Sequence, residues 1–224
     1  MVDVVVQRGS VEELHSLDPF ADGPLDAPVV WWCRPSDDAI VLGSRQDPEL
    51  LDAAACARDG LSITPRRSGG AAVLIRRAEM AWVDVVLPTG SAPDDVRGSM
   101  VWIGERWRDV LQRLVPAPLE VHRGGMVDRA WSDLVCFAGV GPGEVLLGDA
   151  KLVGLSQRRT RHGSRIQALI HRCPAMHGYR PLFRPPLPNG EPAGQAWLAD
   201  LDEPRLGHAV HELAADLAGR TTLV

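Results

Sequence analysis

Only one of the 24 lysine and arginine side chains in this sequence is a lysine, Lys151. A sequence that uses arginine almost wherever a surface cation is needed keeps a lysine where a planar guanidinium cannot serve. A compact ammonium on a flexible stem can sit among several oxygens as a point charge. A second segment runs Arg66, Arg67, Ser68, Gly69, Gly70 and then into the apolar Ala71, Ala72, Val73 and Leu74. Glycines let the backbone come close to a ligand and turn its N–H groups toward oxygens, and arginines add bidentate anion contacts. A tight hairpin turn would use the same residues, so the segment alone leaves both readings open. The third candidate is Cys136, followed by Phe137 and fifteen residues before Lys151. A thiol in a field of Lys and Arg is drawn toward thiolate, the nucleophilic form; a buried structural cysteine beside Phe137 is the alternative.

Other constellations carry less. Gly139, Gly141 and Gly143 enclose Pro142 and precede a strand pattern, unlike a dinucleotide-binding GxGxxG that opens a helix, and read as a flexible loop. His208 and His211 are three residues apart in a helical pattern with no third metal ligand placed by spacing, so a helix face explains them and no metal site is expected. Asp37-Asp38 and Asp94-Asp95 fall at a turn and a helix start, where capping accounts for them. The four cysteines, at 33, 56, 136 and 173, form no CxxC pair, so neither a zinc ribbon nor a redox motif is indicated.

The elements that must position these groups follow from pattern. Short strands are expected over 2–8, 61–64, 72–77, 82–87, 119–122, 134–138 and 144–147. A hairpin is expected from 29–33 into 39–44, and another from 151–156 into 165–171. Helices are expected over 48–59, 94–114 and 204–218, and the Pro-rich stretch 181–194 reads as loop. With 224 residues, 45% hydrophobic and 24% charged, the chain can bury one substantial core. No composition break divides it, so one domain over 1–224 is expected. The strands lack regular crossover helices, which favours a mixed, mainly antiparallel sheet flanked by helices over a doubly wound nucleotide fold. No apolar run approaches a membrane span and the first residues lack a signal-peptide pattern, so a cytoplasmic protein is expected. The net charge of −5 is uneven: residues 151–190 carry eight basic and no acidic side chains, and residues 62–77 carry four arginines and no acid. Two such segments in an acidic protein suggest an anion site rather than a nucleic-acid surface.

Taken with Gly43, Gln46 and Pro48 in the stretch 41–48, the segments at 66–74 and 148–159 resemble the lipoate–protein ligase and octanoyltransferase family, within the wider biotin/lipoate ligase superfamily. The resemblance lies in three motifs in order and at matching spacing, from about residue 40 to 172. It implies an α/β (α+β) fold of the class II synthetase type, without the accessory C-terminal domain found in many such ligases. It implies that Arg66 meets a nucleotide phosphate, that Ser68, Gly69, Gly70, Ala71, Ala72, Val73 and Leu74 line the substrate and nucleotide site, and that Lys151 binds acyl carbonyl and phosphate oxygens. The activity it implies first is ATP- and Mg2+-dependent activation of lipoate or octanoate, then transfer to a lysine of a lipoyl carrier domain of a 2-oxoacid dehydrogenase or glycine cleavage protein. The octanoyltransferase branch implies instead an ATP-independent route with Cys136 as the thioester nucleophile. Two departures, Ile75 and Arg76 where the family has His-Asp, and Gln167, Ala168, Leu169, Ile170 where it has a QHGS run, leave a non-catalytic binding relative as the third reading.

Overall fold

The computed structural model describes residues 2–173, 178–192 and 194–220. Two sheets face one another. The larger has seven strands in the order β1 (Asp3–Gly9), β2 (Val29–Pro35), β6 (Met80–Pro88), β10 (Gly163–His171), β9 (Ala150–Thr160), β8 (Val145–Leu147) and β7 (Leu119–Val121). Only β1 and β2 pair in parallel there. The smaller has β4 (Leu61–Pro65), β3 (Asp38–Leu42) and β5 (Val73–Ile75), with β3 in the middle, parallel to β4 and antiparallel to β5. The mixed, mainly antiparallel α/β expectation therefore holds, with the β9–β10 hairpin at its centre.

Alternation explains the two faces of the large sheet. Ala81, Val83, Val85 and Leu87 of β6 and Ile166, Ala168 and Ile170 of β10 point to one side. That side is covered by α3 (Val96–Gln112) and α4 (Glu203–Arg220), whose Ile103, Trp107, Val110, Val210 and Leu213 complete a single core. Trp82, Leu169 and Met80 point to the other side, against the small sheet. Asp95 caps α3 through the Gly98 N–H at 2.7 Å, so the helix begins one or two residues later than its acidic pair suggests. No helix among the described residues is long and apolar enough to cross a membrane.

Several local expectations change. Residues 29–33 and 39–44 do not form a hairpin: β2 joins the large sheet and β3 the small one, because each finds its apolar partners in a different layer. The helix expected over 48–59 divides into a 3-10 turn, Pro48–Leu50, and α2 (Ala53–Arg58), with Asp52 capping the second through the Ala55 N–H. The strand expected over 134–138 reduces to a parallel bridge between Ala72 and Val135 and a 3-10 turn, Cys136–Ala138. A short helix, α1 (Val11–Ser16), goes unread in the sequence; Ser10 and Glu13 form a capping box at its start, and Asp37 accepts from the Val11 N–H at 2.7 Å.

Candidate active site

The three motif segments interlock. Gln46 accepts from the Gly43 N–H at 3.1 Å and donates to the Asp133 and Leu134 carbonyls, at 2.9 and 3.3 Å. The Ala72 N–H donates to the Leu134 carbonyl and the Cys136 N–H to that of Ala72, each at 2.9 Å. Gly43 has to be glycine because a Cβ there would lie 1.7 Å from the Gly70 carbonyl oxygen. The turn at 66–72 is thus no hairpin. It carries the chain from β4 to β5, on opposite sides of β3, and Arg66 shapes it by donating to the Gly69 and Ala71 carbonyls, both at 2.9 Å.

Arg66 is buried, and no ion pair to a carboxylate is found for it among the described residues. The other arginines of its acid-free segment are paired: Arg67 with Asp18, Arg76 with Asp59 and Asp38, and Arg77 with Asp38. In the second basic segment Arg158 meets Asp18, Arg159 meets Asp94, Arg165 meets Asp84 and Arg172 meets Glu203, while Arg180 donates to the Pro188 and Gly190 carbonyls. Most of the local charge excess is therefore cancelled across elements rather than gathered into one anion site. Arg66 is the arginine of the 62–77 segment with no carboxylate partner among the described residues, and it lies across the Gly70 opening from Cys136. Gly70, at φ +94, leaves the space where a Cβ would stand 2.7 Å from Nη2 of Arg66 and 3.7 Å from the Cys136 sulfur.

Lys151 is 1% exposed, not a solvent-lined cation. Its ammonium donates to both oxygens of Glu144, at 2.9 and 2.8 Å, and to the Cys136 carbonyl at 2.6 Å. Glu144 also accepts from the Gly141 N–H at 2.6 Å and more distantly from that of Leu155 at 3.3 Å. The loop holding Glu144 is not the free loop its glycines suggest. Gly143, at φ +86, packs where a Cβ would be 2.2 Å from the Met100 carbonyl, and Gly104 of α3 leaves room for the Gly143 carbonyl in turn. The ion pair is neutral as a whole, so Arg66 rather than Lys151 supplies uncompensated positive charge near the thiol.

Two cavities meet at Cys136. An open cleft of ≈ 380 Å³ is lined by Gly69, Gly70, Ala71, Arg97, Ser132 and Lys151, among others. A narrow inner cavity of ≈ 20 Å³ lies between the sheets, under Val41, Val73 and Ile75 of the small sheet and above Trp82, Leu169, Gly154, Gln167 and Ser156 of the large one. Cys136, Leu155 and Ser156 line both. Ile75, in place of the family histidine, gives the inner cavity an apolar wall, while Arg76 turns away to its ion pairs. Ala72 and Leu74 are buried in the core without lining either cavity; the Leu74 N–H donates to the Tyr179 hydroxyl at 2.6 Å. Burial pushes the other three thiols up, helped by Asp84 beside Cys33, Asp52 near Cys56 and Glu79 beside Cys173.

Glu144 and His15 were invisible as site residues. For Glu144 the signal was a lone acid closing a Gly-Pro-Gly turn ahead of the only lysine. For His15 there is none, since no pattern in the sequence marks α1. His15 reaches the inner cavity because Arg165, held by Asp84 at 2.5 Å, donates to the Leu14 and Leu17 carbonyls at 2.8 Å and anchors the end of α1 to the sheet. His208 sits on α4 beside Glu212, at 3.3 Å.

The same arrangement of elements occurs in solved lipoate-handling proteins. The T. acidophilum protein Ta0514 with bound lipoic acid superposes with a TM-score of 0.71 at 13% identity, over 97% of this chain and 86% of that one. A lipoate-protein ligase A bound with ATP gives 0.73 at 13%, over 97% and 85%. P. falciparum LipL1 in complex with lipoate gives 0.68 at 11%, over 100% and 64%. A search of curated proteins by sequence finds no match. Residues 20–181 match the family model of the lipoyl protein ligase A/B catalytic domain, and the chain belongs to that family.

Proposed function

We propose that the domain transfers a medium-chain acyl group to a lysine of a lipoyl carrier domain, and that the group is carried on Cys136 as a thioester. One observation carries this reading: Cys136 lines both the inner cavity and the wide cleft, across the Gly70 opening from Arg66, a buried cation with no carboxylate partner among the described residues. The acyl chain, its donor and then the acceptor lysine are taken in the cleft, since the inner cavity has room for no more than about one water-sized group. The thiolate attacks the carbonyl carbon of a donor thioester; the new C–S bond forms, the donor C–S bond breaks, and the donor sulfur leaves and takes up a proton. The acceptor amine next attacks the Cys136 thioester, the amide C–N bond forms, the C–S bond breaks, and the amine's proton returns to the thiol. Arg66 lies across the Gly70 opening from Cys136, where its guanidinium can meet the thioester oxygen as negative charge develops there. Lys151 fixes the backbone carbonyl of Cys136 and so the direction of its side chain.

ATP-dependent ligation of lipoate or octanoate is the second reading. It is supported by the family and by an ATP-bound ligase of the same fold. It would use Mg2+ and would place phosphate oxygens against Arg66 and Lys151, of which Lys151 is already matched by Glu144. One experiment separates the readings. The purified protein is mixed with an octanoyl thioester without ATP and intact mass is recorded. A gain of one octanoyl group, absent in Cys136→Ser, supports transfer. No adduct, together with ATP-dependent labelling of a lipoyl domain and pyrophosphate release, favours ligation. Neither signal, with the protein folded, leaves the non-catalytic reading.

A further inference from the structure

The parallel pair β1–β2 sets two arginines side by side. Arg8 and Arg34 are register partners, so both side chains leave the sheet on one face, from strands about 4.8 Å apart. That is the face α4 covers, where Val4, Trp32 and Ala81 pack. Like charges placed opposite one another on a sheet repel and weaken it. Arg34 is held in place: its guanidinium lies over the Trp32 ring, 4.0 Å from the centroid, and donates to Glu203 at the start of α4. Arg8 is exposed and has neither an ion pair nor a side-chain hydrogen bond among the described residues.

Both arginines line a hollow of ≈ 260 Å³ that shares no residue with the cleft at Cys136. Arg77 lines it too, and the small Ala81 leaves it room. Glu203 gives one carboxylate oxygen to Arg34 and turns the other toward Arg172 at 3.7 Å; Asp38 meets Arg77 at 3.8 Å. Among the described residues the ion pairs of Arg34, Arg77 and Arg172 go to these two carboxylates alone, so positive charge is in excess at the hollow. A concave site with cations in excess favours an anion. Two guanidinium forks one strand apart match two adjacent phosphoryl groups, each fork meeting two oxygens of one. The chain as a whole carries −5, which argues against a long polyanion such as a nucleic acid.

We infer that this hollow, away from Cys136, binds a small ligand bearing a diphosphate group between Arg8 and Arg34, either free pyrophosphate or a nucleoside diphosphate. Calorimetry on the full chain follows pyrophosphate and ADP, with citrate as a polyanion lacking phosphate, all at matched ionic strength. Pyrophosphate or ADP binds and citrate binds more weakly. Arg8→Gln loses about tenfold or more of the affinity, the worth of hydrogen bonds to a charged group; Arg8→Lys keeps the charge without the fork and so keeps part of it. Tighter binding of ADP than of pyrophosphate identifies a nucleotide as the source of the group, and equal binding identifies free pyrophosphate. Arg8 is exposed and holds no other part of the fold, so Arg8→Gln melts as the wild type does. Phosphate oxygens also belong at Arg66 in the ligation reading, which makes Arg66→Met the companion variant. Binding kept in Arg66→Met and lost in Arg8→Gln upholds the inference. Binding lost in Arg66→Met and kept in Arg8→Gln assigns the anion to the cleft and overturns it. No binding at millimolar concentration, or citrate bound as tightly as pyrophosphate, overturns it as well.

Discussion

Replacing Glu144 with glutamine tests the arrangement at its most charged point. The change keeps the shape of the side chain and removes one unit of charge beside an ammonium that is 1% exposed. Both partners are buried, with side chains 1% and 5% exposed, so solvent does little to screen the loss. Breaking a buried ion pair by removing one partner costs about 3–5 kcal/mol, because the remaining charge stays desolvated and uncompensated. For a chain of this length each kcal/mol lowers the melting temperature by about 2–4 °C, so Glu144→Gln is expected to melt about 10 °C lower at neutral pH, read by circular dichroism or calorimetry. The double variant Glu144→Leu/Lys151→Met removes both charges and should recover most of that stability, since an apolar pair of similar volume is often neutral or stabilising in a buried site. It should remain inactive, since nothing then holds the Cys136 carbonyl. A melting temperature for Glu144→Gln within 2 °C of wild type would refute the reasoning, for it would mean that Lys151 finds solvent or another anion. Equal loss in the single and double variants would show that the site fails through packing rather than charge.

Three further outcomes are expected. Gly70→Ala should abolish acyl-adduct formation in a folded protein, because it combines a positive φ with a Cβ 2.7 Å from Nη2 of Arg66, whereas Gly69→Ala, which meets nothing within 4 Å, should keep at least half the wild-type rate by intact-mass kinetics. Arg66→Met should slow acyl-adduct formation on Cys136 by about tenfold or more in intact-mass kinetics, since it removes the cation across the Gly70 opening from that sulfur; an unchanged rate would show that Arg66 serves the turn alone. Stability should fall on acidification: burial holds His15 at about 3 and His171 at about 4 in the folded chain, against 6.5 when unfolded, so the unfolded state binds the extra protons. The stabilisation is full above pH 6.5 and is lost as pH drops from there toward 4, by about 1.4 kcal/mol per pH unit for each histidine. His171→Leu should roughly halve the slope of melting free energy against pH in that window, and an unaltered slope would place the pH dependence elsewhere.

Much of the molecule was legible without coordinates because it rests on local rules. Alternation over 82–87 and 165–171 marks β6 and β10, and the spacing of Trp107, Val110 and Leu111 marks the apolar stripe of α3. Lys151 stood out because one residue type was used once, and Arg66, Gly70 and Cys136 because close backbone approach and nucleophilic chemistry each call for few residue types. What pairs with what was another matter. The strands β2 and β3 are neighbours in sequence and look like a hairpin, yet they part into two layers, since pairing depends on which apolar faces meet and not on chain distance. Arginines that read as an anion site are matched by aspartates 17 to 140 residues away, as Arg76 with Asp59 and Arg158 with Asp18. Only the tertiary structure puts Glu144 on Lys151, sets His15 over Trp82 and places Cys136 where two cavities join. Each of these is a contact between elements, and its energy comes from burial and desolvation, which no residue has until the chain has folded around it.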